Sequence, residues 1–372
     1  MKKLIFTKFL TDIAKSFFLI SISFSIIVWA IQSVNYLELI TEDGHGFKVY
    51  FLYTLLNFPK IFTKLLPFVF FISLFSKIIE YEMQNELIIF WSNGISKIKF
   101  INVLIIFSFL FLIFQLFFGS YVSPLSQYKA RTLLKNSNID FFPSLIKEGK
   151  FIDAITGLTI FIDEKNDYGK YSNIFLKEET SDGIKRMIYA KNGNLINDSK
   201  KKVFKLINGK IIDQKKKKSV EFEFDELNID LSQYGSKTIT RPKIQEINSF
   251  KLLKCIIYNY KNKIREFKDD DFICRLSTLD VMKQVLLRRF HLPLYLPLIS
   301  LLCGILVFKS KEYTYYNRFK YSLFAFTFLI IVFSEISLRY ALINFFSFIF
   351  FMTFPIIIFF TLYIILKYKK NI

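Results

Sequence analysis

Six long apolar stretches, each about as long as a bilayer is thick, limit what this chain can fold into. A helix needs about 20 mostly apolar residues to cross the hydrocarbon core. The runs fall at roughly 13–34, within 50–79, and at 100–122, 286–308, 321–340 and 345–366. Runs three and six are too long and too uniformly apolar to be buried helices of a soluble core. Composition supports this only if polarity is segregated along the chain. The protein is 52% hydrophobic, yet 22% of its residues are charged and it carries a net +20. A membrane protein with a sizeable soluble part satisfies both figures. The first run follows Met1-Lys2-Lys3; it is longer than a signal core and no small-x-small site follows it, so it reads as a retained helix.

Lys and Arg in short flanks set orientation. One alternating set of ends holds Lys2, Lys3, Lys8, Lys77, Lys97, Lys99, Lys309, Lys311, Arg318, Lys320, Lys367, Lys369 and Lys370, while the opposite set includes the acidic loop Glu38, Glu42 and Asp43. Both termini are therefore expected in the cytoplasm, and the polar segment between runs three and four outside it. That segment reads as strands. Phe151 to Ile162 has a hairpin pattern with Gly157 at the bend, and Val203 to Asp213 has Asn208-Gly209 between alternating apolar residues, the strongest short hairpin signal. Val220 to Phe224 alternates, and Asn173 to Glu178 and Lys185 to Lys191 add further strands, six to eight in all. Lys215 to Lys218 reads as a solvated hairpin tip. No helical period interrupts the strands, so an antiparallel sandwich or jelly roll is expected. Helices flank it at Leu125 to Lys135, Phe250 to Phe267 and Leu279 to Arg289. Cys255 and Cys274 are read as small apolar residues, with pairing as the alternative.

Several chemistries are excluded. No Gly-x4-Gly-Lys-Ser/Thr loop exists, so the chain does not bind ATP in P-loop fashion. His45 and His291 are isolated, and no Cys/His cluster has metal spacing. No catalytic residue, cofactor, metal site or nucleic-acid surface is expected; transport, assembly or sensing remain. The loop between runs two and three carries Glu80, Glu82 and Glu86 where basic residues would be usual. It reads as a short helix from Glu80 ended by Gly94, suited to a partner with a basic groove.

Glu86 followed eight residues later by Gly94-Ile95-Ser96 resembles the E-x7-G-[LIM]-S loop of the YjgP/YjgQ permeases, the LptF and LptG subunits of the lipopolysaccharide exporter. Pro59 and Pro67, Ile188-Tyr189-Ala190-Lys191-Asn192-Gly193, and Arg288-Arg289-x2-Leu292-Pro293-Leu294 resemble the same family, the last on its LptF side. The likeness covers essentially the whole chain. It implies a polytopic α-helical membrane protein with six transmembrane helices and an extracytoplasmic all-β jelly-roll-like domain inserted between helices 3 and 4. Its expected parts are 1–140, 141–247 and 248–372. The resemblance implies an LptG-like permease partner, an LptB-like ATPase dimer docked at Glu82, Glu86, Gly94 and Ser96, and an LptC-like protein joined to the β domain. Lipopolysaccharide would enter between the subunits, gated by the first and fifth spans.

Lipid A carries phosphates and acyl chains, so its site needs cations at outer-leaflet depth above an apolar wall. Lys60 and Lys64 are one helical turn apart near the outer end of run two. Glu335 and Arg339 lie one turn apart near the outer end of run five. These four are the expected substrate contacts. The plainer reading is that the lysines snorkel to headgroups and that Glu335 pairs with Arg339. The outer end of run one, Gln32 to Tyr36, lacks the Lys or Arg that LptF-like chains often carry. An LptG paralogue, or a membrane sensor or scaffold with an outer β domain, are the competing readings.

Overall fold

A computed structural model describes residues 2–41, 45–136, 148–155, 157–165, 170–179, 185–198, 201–215, 218–230, 242–262, 266–269 and 272–368. Glu42, Asp43, Lys369 and Lys370 of the orientation argument lie outside the described residues. Six helical stretches are long and apolar enough to cross a membrane: Lys2–Thr41, Phe47–Met83, Lys97–Leu134, Leu279–Phe308, Tyr316–Tyr340 and Phe345–Tyr368. They match the six apolar runs.

The chain divides into two compact units. One comprises Met1–Ala30, Leu56–Lys129 and Arg241–Ile372 and the other Ile31–Leu55 and Ala130–Thr240. The elements, in order, begin with α1 (Lys2–Asn35), α2 (Phe47–Leu56), α3 (Phe58–Met83), the short α4 (Glu86–Ser92), α5 (Lys97–Phe117) and α6 (Ser123–Asn136). A π-helical turn, Phe118–Val122, joins α5 to α6. After the sheet come α7 (Ser249–Asn262), α8 (Leu279–Phe290), α9 (Tyr295–Gly304), α10 (Tyr316–Tyr340) and α11 (Phe345–Tyr368).

In the helical unit α9 is the axis. All ten of its residues are buried, in keeping with a sequence that is apolar on every side. Around it Phe70, Phe71 and Leu74 of α3, Phe100, Leu104 and Phe111 of α5, and Ile330 and Ile331 of α10 form the main core. The N-terminal half of α1 joins through Phe9, Ile13 and Phe17, and Asp12 accepts a 2.6 Å bond from the Tyr81 hydroxyl. Other residues of α1 and much of α11 leave Leu19, Ile22, Ile27, Ile357 and Phe360 exposed. Such apolar faces are stable only against lipid or a partner helix.

In the second unit the strands β1 (Lys150–Ile155), β2 (Leu158–Lys165), β3 (Lys170–Glu179), β4 (Lys185–Asp198), β5 (Lys201–Lys215) and β6 (Lys218–Asp230) form one antiparallel sheet in sequence order. Its core is Leu158, Ile160, Ile162, Tyr171, Ile174, Leu176, Ile188, Ala190, Phe204 and Leu206. Period-2 alternation puts these on one face. Gly157 sits at the β1–β2 bend as expected (φ 79°), and Lys215 faces Lys218 at the β5–β6 tip.

The Asn208-Gly209 hairpin is not formed: β5 runs straight through it. Asn208 does take the left-handed conformation that its residue type suggested (φ 53°). The conformation serves a crease in a long strand rather than a turn. Gly209 is needed there because a Cβ would meet the Tyr189 carbonyl oxygen at 2.1 Å. The crease crosses the sheet. Ser172 faces Asn192 and Ile174 faces Ala190; Ala190 faces Gly209 and Asn192 faces Ile207; Gly209 faces Phe224 and Ile207 faces Glu226. Between these pairs Asn173, Lys191, Asn208 and Asp225 fall in one line without ladder pairing. Along β3, core residues are spaced by three at this line, Tyr171 to Ile174, instead of by two.

Two further expectations are corrected. The amphipathic helix from Phe250 stops at Asn262, and Phe267 lies in a small hairpin, β7 (Glu266–Asp269) and β8 (Phe272–Arg275). That hairpin carries Cys274 to Cys255 on α7, and the two form a disulfide with Cα atoms 6.0 Å apart. Sequence separation alone does not reveal such proximity.

Candidate functional site

A cavity of about 110 Å³ opens within the helical unit. Helix α3 contributes Lys60, Thr63, Lys64 and Phe68, α5 contributes Gln115, α8 contributes Arg288 and α10 contributes Glu335. The π-helical turn brings Gly119 to its wall. Single π turns inside α-helices often mark functional positions. Lys60 and Lys64 stand one turn apart, as the i, i+4 spacing requires.

Glu335 does not pair with Arg339. Its Oε2 accepts Arg288 Nη2 at 3.2 Å. Arg339 is exposed and is not among the cavity residues. Sequence reasoning brought Arg288 forward only as part of a motif. Its role as the cavity's third cation was missed, because α8 and α10 are distant in sequence. Arg289, beside it, also lines the cavity. It is buried and donates to the Ile247 carbonyl (2.9 Å), the Ser249 hydroxyl (2.8 Å) and the Gln245 carbonyl (2.8 Å). Both arginines line the cavity, but Arg289 is committed to the segment before α7 while Arg288 pairs only with Glu335 among the described residues. Gln115 Oε1 and Arg288 Nε are buried there without a hydrogen-bond partner among the described residues. Buried polar atoms are normally satisfied, so the pair marks the cavity as fit for a polar ligand group.

The second candidate surface is the loop around α4. Glu80 and Glu82 belong to the last turns of α3, and the short helix starts at Glu86, later than expected. Gly94 follows its end with φ 67°, a conformation that costs glycine little. Ser96 caps α5 by accepting from Lys99 N at 3.3 Å. Glu82 is engaged internally, its Oε1 accepting the Lys311 backbone N–H at 2.8 Å. Glu86 makes a 3.7 Å ion pair with the exposed Lys8. Leu87 and Phe90 are buried while Ile88 and Ile89 are exposed, so α4 offers an acid and two apolar side chains outward.

Outside the spans, the Arg186 guanidinium grips Asp213 at 2.8 and 3.2 Å and holds its carboxyl below the ordinary range. No group of three or more His, Cys, Asp or Glu that could hold a metal occurs among the described residues.

Six membrane-length helices, a cation-lined cavity in their bundle and an antiparallel sheet between the third and fourth helices describe a polytopic membrane protein with an inserted β domain. The chain belongs to the lipopolysaccharide export system permease LptF/LptG family, whose profile matches residues 9–369. No curated protein matches the chain.

Proposed function

We propose that this chain is the LptF-type subunit of the transporter that extracts lipopolysaccharide from the inner membrane and passes it to a periplasmic bridge. An LptG-like permease pairs with it across the exposed apolar faces of α1 and α10. An LptB-like ATPase dimer docks on the loop of Glu82, Glu86, Gly94 and Ser96, where Glu86, Ile88 and Ile89 face outward. Both termini lie in the cytoplasm. The sheet domain, 141–247 between 1–140 and 248–372, lies outside and joins an LptC-like protein.

The observation that carries the reading is the cavity. Three cations, Lys60, Lys64 and Arg288, surround polar atoms without partners, beside an apolar wall that suits acyl chains. A phosphate accepts from several donors at once, and Glu335 balances Arg288 until one arrives. Arg339 stands outside this cavity and contributes from the outer rim. The test is affinity purification in mild detergent with cysteine labelling of intact cells. Recovery of an ATPase and a second six-span subunit, with labelling of sheet residues only from outside, is expected. Purification of this chain alone, or labelling of the sheet only from the cytoplasm, would overturn it.

A further inference from the structure

The face of the sheet opposite its core is not a plain solvated surface. One row of directly facing residues crosses all six strands: Phe151, Phe161, Phe175, Tyr189, Lys210 and Glu223. Its first four members are aromatic. The Phe151 and Phe161 rings lie 4.8 Å apart and those of Phe175 and Tyr189 4.9 Å apart. Phe151 is 66% exposed and Tyr189 40%, though both rings have a core on the other face of the same sheet. Cross-strand pairing would explain the contacts between rings but not their exposure to water.

Beside this row runs the crease, with Asn173, Lys191, Asn208 and Asp225. All four side chains are exposed and line one groove together with Phe161, Phe175 and Tyr189. Asn173 and Asn208 hold the left-handed conformation, φ 51° and 53°. Side chains other than glycine take that conformation at a cost, and such strain gathers at binding sites. The groove's charges are Lys191 and Lys210 against Glu223 and Asp225. They cancel, so it is tuned neither to a phosphate nor to a cation.

We propose that this groove binds saccharide, with pyranose rings lying on Phe175 and Tyr189 and ring hydroxyls bonded along the crease. The negative faces of aromatic rings attract the weakly positive C–H edges of a sugar ring. A hydroxyl both donates and accepts, and amides, a carboxylate and an ammonium together meet both needs. A lipid tail would leave the crease side chains unused, and a bare phosphate would meet two carboxylates. The same sugar chemistry comes from two sources, the saccharide of lipopolysaccharide and the glycan of a cell wall. The proposal stands on the sheet alone and does not depend on the transport reading.

The test is saturation-transfer NMR on the full chain in phosphatidylcholine nanodiscs, free of sugar-based detergent. The two probes are the dephosphorylated oligosaccharide released from lipopolysaccharide and a β-1,4-linked N-acetylglucosamine tetramer. At least one probe should show transfer to its ring C–H protons; the responding probe names the source, and response by both assigns a general glycan site. Tyr189→Thr should weaken binding by about tenfold or more, the stacking and hydrogen-bond loss combined. The Asn173→Gly, Asn208→Gly double variant should do the same, since it keeps the left-handed backbone and removes the two amides together with the exposed bond from Asn173 to Asp163. Phe222→Thr, exposed but outside the groove, should bind as the parent does. If Tyr189→Thr loses the sheet by circular dichroism, the double glycine variant decides. No transfer from either probe at millimolar concentration, or full transfer in the groove variants, would overturn the proposal.

Discussion

Arg288 and Arg289 are chemically identical neighbours that differ in burial and bonding, and replacing each by Met should separate them. Arg289 is 6% exposed and makes the three bonds described above. Bonds from a charged donor contribute about 1.5–3 kcal/mol each, and two carbonyls would be left under-satisfied. Against this, Met avoids the several kcal/mol of burying a guanidinium. The net loss for Arg289→Met is therefore about 2–4 kcal/mol. At about 2–4 °C per kcal/mol for chains of 150–250 residues, the midpoint should fall by roughly 4–16 °C. The Arg288–Glu335 pair is 37% and 45% exposed, where ion pairs contribute about 0–1 kcal/mol. Arg288→Met should then cost under about 4 °C. Cys303 supplies the assay. It is buried and is the one free thiol of three cysteines, so a thiol-reactive dye reads unfolding of the helical unit in detergent. Equal shifts for the two variants, or a larger one for Arg288→Met, would refute the division of labour.

Glu86→Lys should insert normally yet lose copurification of the ATPase, since removing one partner of a desolvated charge pair costs about 2–5 kcal/mol; unchanged recovery would remove Glu86 from coupling. Gly209→Ala places a methyl 2.1 Å from the Tyr189 oxygen and should cost about 1–3 kcal/mol or more by overpacking, read as faster proteolysis within β5 and β6. Asp213, held below the ordinary carboxylate range by Arg186, contributes stability that is present above about pH 3.9 and lost as pH falls through its lower folded value. Asp213→Asn should therefore lower the sheet's melting point at pH 7, and its gap to the parent should close below about pH 4. A gap independent of pH would remove the ion pair as its cause.

How far the sequence disclosed all this depended on whether the deciding contacts were local. The spans were legible because a run of apolar residues has no soluble alternative, but which span is central was not: α9 and α11 are both apolar on every side, and only α9 is buried throughout. Gly94 was legible because helix ends obey local backbone rules, whereas Ser96 entered only through the family motif. Asn208-Gly209 misled because the residues that favour a positive φ in a hairpin favour it equally in a creased strand. Only the partners of β5, 15 to 20 residues away on either side, distinguish the two. Cys255 with Cys274, and Arg288 with Glu335, are meetings between separate elements. Neither leaves a periodic trace, so the plainer alternative that pairs Glu335 with its helical neighbour Arg339 rested on local spacing alone and is not met. The aromatic row was hidden for the same reason: each ring lies in a different strand.

The central claim is that the cavity of Lys60, Lys64 and Arg288 holds the phosphates of lipopolysaccharide. A photo-crosslinking side chain at Thr63, which lines the cavity, tests it directly in intact cells. The parent should form lipopolysaccharide adducts, and the Lys60→Ala, Lys64→Ala double variant should lose them more than tenfold, two charge-assisted contacts being worth roughly 1.5–3 kcal/mol each before desolvation. Lys309→Ala, whose ammonium lies 4.2 Å from the Tyr313 ring away from the cavity, should keep them. Equal adduct yield in all three would contradict the account and leave the two lysines as headgroup anchors.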